Sequence, residues 1–339
     1  SDYMALCLFD PEAGYYTTRE PFGAGGDFVT APEVSQMFGE IVGAWFVHVW
    51  RMLDRPAPFA LVEMGPGRGT LMRDILRTAR IDPDFLAAAH VHLVETSERL
   101  RKVQGQTLEP HRIDWHDDLS TLPDMPMLLV ANELFDAVPV RQVEKSPHGW
   151  RERRVGLGPD GALAFHLGPE LGDPSLLPPG AETAPAGAVF EYAPAREAIA
   201  AMLGTRLAEH GGIALVIDYG HARSGFADTL QAVRGHEYVS VLDAPGTADL
   251  TSHVDFEAIA AAARSAGANA LPVKAQGEFL LSLGLAARAG ALGRDKDKRT
   301  QDEIRAAALR LAGTGEGEMG ELFKVLCLTG PSPAPPPFA

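Results

Sequence analysis

The sequence predicts an α/β fold built on a largely parallel sheet, and three observations carry that expectation. Short apolar runs recur at Phe59 to Val62, Val91 to Val94, Met127 to Ala131 and Ile213 to Ile217, as in strands buried on both faces. Stretches with helical spacing separate them. The first run ends in a glycine-rich turn, Gly65-Pro66-Gly67-Arg68-Gly69, that opens directly into a helix. Such a strand–turn–helix corner lets a nucleotide-like ligand approach backbone and helix N–H groups.

Taken in order, residues 1 to 57 precede the first core strand and read as a helical lid segment. Phe22 to Asp27 is a glycine-rich loop. Pro32 to Gln36 opens an apolar helix reaching about Trp50, with Pro32 at its first position and Glu33 in its first turn. Asp27, Thr30 and Ser35 either form a lid over a ligand or simply cap that helix. After the glycine turn, Leu71, Ile75 and Leu76 space a helix from Thr70 to Arg80. Val91 to Glu95 is a second strand ending in an acid, where nucleoside-binding folds hold ribose hydroxyls. Glu95 lies further past the loop than the usual ~20 residues, which Ile81 to His90 explains as an extra segment.

Thr96 to Gln106 reads as a helix and Ile113 to Trp115 as a short third strand. Asp117 and Asp118 follow it, placed to read an adenine amino group or to cap a turn. The fourth strand, Met127 to Ala131, ends in Asn132-Glu133-Leu134-Phe135-Asp136. That end should lie beside the end of the first strand, where the crevice of an open α/β sheet forms; Asn132 is equally a good helix cap. Residues 139 to 190 look like a β-rich insertion, with antiparallel strands at Val140 to Val143 and Trp150 to Val155 and a turn at Pro159 to Ala162. A helix from Ala195 to Glu209 stops at Gly211 and Gly212. Ile213 to Ile217 is the fifth strand, ending in Asp218-Tyr219-Gly220. Residues 221 to 252 form a further insertion with a hairpin near Thr229 to Val241. Thr251 to Phe256 caps an alanine-rich helix. Leu271 to Ala275 and Phe323 to Leu328 fit the last two strands, and Pro331 to Ala339 reads as a flexible tail. The core is thus expected at 58–138 and 191–330.

Composition narrows the function. A net charge of −15 over 339 residues argues against a nucleic-acid partner, because phosphates repel such a surface; it suits a basic substrate. Cys7 and Cys327 form neither a disulfide framework nor a zinc pattern, which fits a reducing compartment. No apolar run approaches a membrane span and no targeting pattern stands out, so a cytoplasmic location is expected.

The glycine loop alone is ambiguous, since G-x-G-x-G also opens dinucleotide sites. Thr70 stands where a dinucleotide fingerprint needs its third glycine. Glu63, just before the turn, would repel a pyrophosphate and welcome an ammonium group. The corner therefore reads as a site for S-adenosylmethionine. An NAD(P)-dependent oxidoreductase is the competing enzyme class, and a non-enzymatic assembly or binding protein that keeps the fold is the other alternative.

The blocks GGDFVTAPEVSQMFG (25 to 39), EMGPGRG (63 to 69), NELFDAVP (132 to 139), DYG (218 to 220) and DLTSHVDF (250 to 256) resemble the MidA-like family. That family includes a mitochondrial complex I assembly factor that methylates an arginine of a complex I subunit. The resemblance spans Tyr3 to about Leu328. It implies a class I, Rossmann-like, seven-stranded S-adenosylmethionine-dependent methyltransferase fold, a protein substrate with an acceptor arginine, and the mitochondrial matrix if the chain is eukaryotic. In that reading Gly65, Gly67 and Gly69 hold the methionine end, Glu63 supports the loop or the ammonium, and Glu95 binds ribose. Asp117, Asp118 and Asn132 complete the cofactor set. Glu133 and Asp136 orient the guanidinium, and His253 takes a proton or merely caps a helix, with Glu191 and Asp255 as reserves. The sulfonium is already activated, so no metal is expected.

Overall fold

The structure, a computed structural model, describes residues 1–19 and 29–339; the expected Phe22 to Asp27 loop, with Asp27, lies outside the described residues. The chain opens with α1 (Asp2–Phe9), the single turn α2 (Tyr15–Thr18), α3 (Ala31–Val34) and α4 (Gln36–Met52). The single helix expected from Pro32 is broken at Ser35. Its extended backbone (φ −163°, ψ 141°) turns the side chain to accept from the Met37 N–H and cap α4.

The first half of the core follows as β1 (Phe59–Met64), α5 (Thr70–Ala79), α6 (Pro83–Ala88), β2 (Ala89–Val94), α7 (Glu98–Thr107), β3 (Ile113–His116) and β4 (Met127–Asn132). Helix α6 is the extra segment that moves Glu95 away from the loop. Four strands, β5 (Arg141–Ser146), β6 (Gly149–Leu157), β7 (Leu163–Glu170) and β8 (Val189–Tyr192), form a separate antiparallel sheet in the order β7-β6-β5-β8. Then come α8 (Pro194–His210) and β9 (Gly212–His221). A small sheet of β10 (Gln231–Arg234), β11 (Glu237–Val239) and β12 (Asp249–Thr251) contains the expected hairpin as β10–β11. The chain closes with β13 (Val254–Asp255), α9 (Phe256–Ser265), β14 (Asn269–Ala270), β15 (Lys274–Ala275), α10 (Gln276–Ser282), α11 (Leu285–Gly293), α12 (Lys298–Ala312) and β16 (Phe323–Thr329).

Seven strands run across the main sheet in the order β14-β16-β9-β4-β1-β2-β3, with β13 added beside β9 and β15 beside β16. β1, β2, β3, β4 and β9 are parallel, and β16 runs antiparallel to β9. The chain steps outward from β1 to β3 and then returns to β4 on the other side of β1. The ends of β1 and β4 therefore flank the switch point. The strand expected at Leu271 to Ala275 is instead two short pieces, β14 and β15, each paired to β16. The intervening Leu271-Pro272-Val273 explains the gap, because proline supplies no ladder N–H.

Alternation through the strands makes both faces apolar. Leu61, Leu128, Val130, Ile213 and Leu215 pack with α4 and α5, while Val62, Leu129, Ala214 and Val216 pack with α8 and α9. This two-sided burial is why these strands read as unbroken apolar runs. The expected flexible tail packs instead. Trp45 Nε1 donates to the Pro336 carbonyl at 2.6 Å, and the buried Phe338 ring sits 5.8 Å from Phe279. Among the described residues, no helix is long and apolar enough to cross a membrane.

Candidate active site

A cavity of about 880 Å³ opens where β1, β2 and β4 end. Its floor is the glycine loop with Glu63, Glu95, Asn132 and Glu133, and Asp117 and Asp118 stand at one end. Phe9, Tyr16 and Thr17 from the first two helices and Thr30, Pro32 and Glu33 from the start of α3 form the opposite wall.

Three positions of the loop favour glycine. Gly65, Gly67 and Gly69 have φ of 62°, 51° and 80°, a region costly for residues with a Cβ. A Cβ on Gly65 would also lie 2.7 Å from Leu134 Cδ1. Gly69 is the N-terminal flank of α5, so the first N–H groups of that helix close the turn. Beside it, Glu63 is buried at 3% exposure, and its Oε2 has no hydrogen-bond partner. Burial pushes its carboxyl up to about 8, only partly offset by the Met72 N–H. An unpartnered buried carboxylate oxygen lining a cavity is what a cationic ligand group would complete.

Glu95 accepts from the Ser97 N–H at 2.8 Å and from Gln104 Nε2 at 3.1 Å. The same Gln104 nitrogen donates to the Gly67 carbonyl at 2.8 Å, so one side chain of α7 ties the strand-two acid to the glycine loop. Burial raises the Glu95 carboxyl. At the far end, Asp117 pairs with Arg101 at 2.6 Å and is largely exposed. Asp118 accepts from the Ser120 N–H at 2.7 Å and caps a short turn. Asp117 is thus engaged by an ion pair and Asp118 by a turn cap, although both residues line the cavity.

Glu133 sits just past β4 with φ of 51°, a left-handed backbone unusual for a residue with a side chain. Its Oε1 accepts from the Ala31 N–H at 2.8 Å and from Asn132 Nδ2 at 2.9 Å. Burial, helped by the nearby charges of Asp136 and Glu33 and opposed by the bonds from the Ala31 N–H and Asn132, pushes its carboxyl up to about 8. The turn behind it is held by buried groups. Asp218 Oδ2 accepts from the N–H groups of Phe135 and Asp136 at 2.9 and 3.1 Å. Arg196, 2% exposed, donates to the carbonyls of Asp136, Val138 and His253 and to Ser252 Oγ.

The structure does not bring every sequence candidate into one place. Asp136 is buried behind the cavity wall, its Oδ1 taking the Ala137 N–H. His253 lines a second cavity of about 420 Å³ together with Glu191, Arg196 and Asp255. There its ring lies edge-on to Tyr219, and burial lowers its pKa. Asp255 caps α9, and Glu191 is engaged by Gln142 and by the N–H groups of Thr229 and Leu230. Sequence reasoning missed Glu33 as a cavity residue, because an acid in a helix's first turn already has a local explanation. It also missed Gln104 and Arg196, whose partners are distant in the chain.

A Rossmann-like sheet with a glycine loop, an unpaired acid beside it and a second acid at the next strand end defines a nucleoside-cofactor methyltransferase. A family model described as "Putative S-adenosyl-L-methionine-dependent methyltransferase" matches residues 41–273. The human "Protein arginine methyltransferase NDUFAF7, mitochondrial" is 36% identical over 356 residues, covering 97% of this chain and 79% of the relative. The mouse protein of that name is 36% identical over 323 residues, covering 85% and 71%. A Burkholderia thailandensis structure bound to S-adenosyl-homocysteine superposes with a TM-score of 0.82 at 29% identity, covering 98% of this chain and 88% of that one. The chain belongs to this family of S-adenosylmethionine-dependent methyltransferases. Its cofactor is S-adenosylmethionine, and the oxidoreductase alternative is not favoured.

Proposed function

We propose that the chain methylates an arginine of a protein substrate. The observation that carries this reading is Glu133: a buried, strained-backbone carboxyl at the end of β4, in the same cavity as the glycine loop. The names of the human and mouse relatives support it, and a chain of net charge −15 suits a basic acceptor. In this reading Gly65, Gly67 and Gly69 cradle the methionine end of the cofactor, Glu63 pairs with its ammonium, Glu95 with its ribose, and Asp117 or Asp118 with its adenine. Bound there, S-adenosylmethionine supplies an electrophilic methyl group on a sulfonium.

The chain's own residues do the rest. A guanidinium is hard to deprotonate and has no free lone pair. A guanidinium arriving beside it favours the ionised form of Glu133, which localises the guanidinium charge, holds one nitrogen toward the donor and receives the proton that nitrogen loses as it gains the methyl group. A carboxyl whose pKa lies near neutrality is suited to that exchange. Asp136, Asp218 and Arg196 act from behind by fixing the turn that carries Glu133, while His253 lines the other cavity. The core at 58–138 and 191–330 performs the reaction, and no residue of the 139–190 insertion lines the cavity. For a eukaryotic chain the mitochondrial matrix is the expected location.

The test is transfer of radiolabelled methyl from S-adenosylmethionine into a lysate of cells lacking the protein, followed by mass spectrometry. Label on protein arginine is expected. Label only on other residues or on small molecules would overturn the arginine assignment.

A further inference from the structure

Asn132 combines three features at the end of β4. It is buried at 8% exposure, it lines the main cavity, and its Oδ1 has no hydrogen-bond partner. Its Nδ2 is committed to Glu133 Oε1 at 2.9 Å. The orientation of the amide is thereby set, because Glu133 Oε1 is already the acceptor of the Ala31 N–H and so takes the NH2 and not the carbonyl. A buried carbonyl oxygen left without a donor is costly unless a ligand supplies one. Asn132 shares Glu133 Oε1 with the Ala31 N–H from the covering segment, so it stands on the Glu133 side of the cavity. The groups assigned to the cofactor, Glu63 and Glu95, belong instead to β1 and to the turn after β2.

We propose that Asn132 is an acceptor-orienting residue, its Oδ1 accepting an N–H from the substrate nitrogen while Glu133 takes a second. The ligand class is a planar cation with N–H donors on adjacent nitrogens, which is the guanidinium geometry. A tertiary amine or a carbon acceptor offers no such donor and leaves Oδ1 unsatisfied, so this oxygen contributes to selectivity by what it rejects. The inference rests on the arginine reading above and extends it to a residue that sequence reasoning grouped with the cofactor.

The experiment uses the full chain saturated with S-adenosyl-homocysteine and titrates N-acetylarginine methylamide by calorimetry. The wild type, Asn132→Ala and Asn132→Asp are compared, and the S-adenosyl-homocysteine affinity of each is measured separately. Asn132→Ala should weaken the arginine probe at least about tenfold, the scale of one hydrogen bond to a charged group, and leave cofactor-product affinity within about twofold. Asn132→Asp keeps an acceptor oxygen in place, and the Glu133 carboxyl, protonated near neutrality, can donate to it, so probe binding should be retained. Unchanged probe binding in Asn132→Ala overturns the inference. So does a parallel loss of S-adenosyl-homocysteine affinity, which would return Asn132 to the cofactor, or an equal loss in Asn132→Asp, which would make its role structural. A wild-type chain that ignores the arginine probe defeats the arginine reading itself, and this inference with it; that arm is read before any variant.

Discussion

Glu63 shows how one residue's surroundings set its chemistry. Its carboxyl is pushed up to about 8 by burial and has an oxygen without a partner. Near pH 7 the ligand-free site therefore holds a proton there, and an arriving ammonium favours the charged form. Binding of S-adenosylmethionine at pH 7 should release close to one proton. Calorimetry in two buffers of different ionisation enthalpy measures this, and Glu63→Gln should abolish the release and weaken binding about 10- to 100-fold. The same shift has a stability consequence for the unliganded chain. Between the ordinary value of 4.5 and about 8 the folded state binds more protons at Glu63 and Glu133 than the unfolded state does. Stability contributed by these groups is therefore full below about 4.5 and falls as pH rises through that window. The urea midpoint should drop from pH 6 to pH 8, and Glu133→Gln should flatten the slope. These acids were legible in the sequence because each follows or ends an apolar run. Glu33 was not, since a helix-opening acid and a cavity-wall acid look identical in one dimension.

At the level of elements, the strand-four turn depends on a charged side chain from another element. Arg196 of α8 is buried and reaches five oxygen acceptors on the segments 136–138 and 252–253. Arg196→Met would leave those acceptors unsatisfied and should cost about 3–5 kcal/mol, read as a lower urea midpoint. The parallel strands were predictable because burial on both faces makes them mostly apolar runs. The break at Ser35, the split of 269–275 and the packed tail were not. The break at Ser35 is a local cap that apolar spacing does not reveal, and the other two depend on partners remote in sequence: β16 for the split strands, and Trp45 and Phe279 for Phe338. Proline-rich composition marks the tail as non-helical but says nothing of what it packs against. Likewise Asp136 and His253 were grouped by motif, while the fold buries the first behind the wall and gives the second to another cavity.

Over the whole molecule, net charge acts at a range that individual contacts do not. A chain of −15 should draw a basic substrate toward its active face, and dissolved salt weakens that attraction beyond about 10 Å. Raising salt from about 0.05 to 0.5 M should increase KM for an arginine-rich peptide several-fold with little change in kcat. An unchanged KM would show that association is governed by short-range contacts alone.

In the proposed reading, the neighbouring strands β1 and β4 carry the donor-side and recipient-side groups on one hydrogen-bonded ladder, with Glu63 level with Val130 and Met64 with Ala131. The distance between the two reacting partners is thus ruled by backbone spacing, which side-chain substitution scarcely alters. The opposing wall comes from α1, α2 and the start of α3, segments outside that ladder. Substitutions on that wall should therefore change which recipient is admitted while the stroke length of the transfer stays the same.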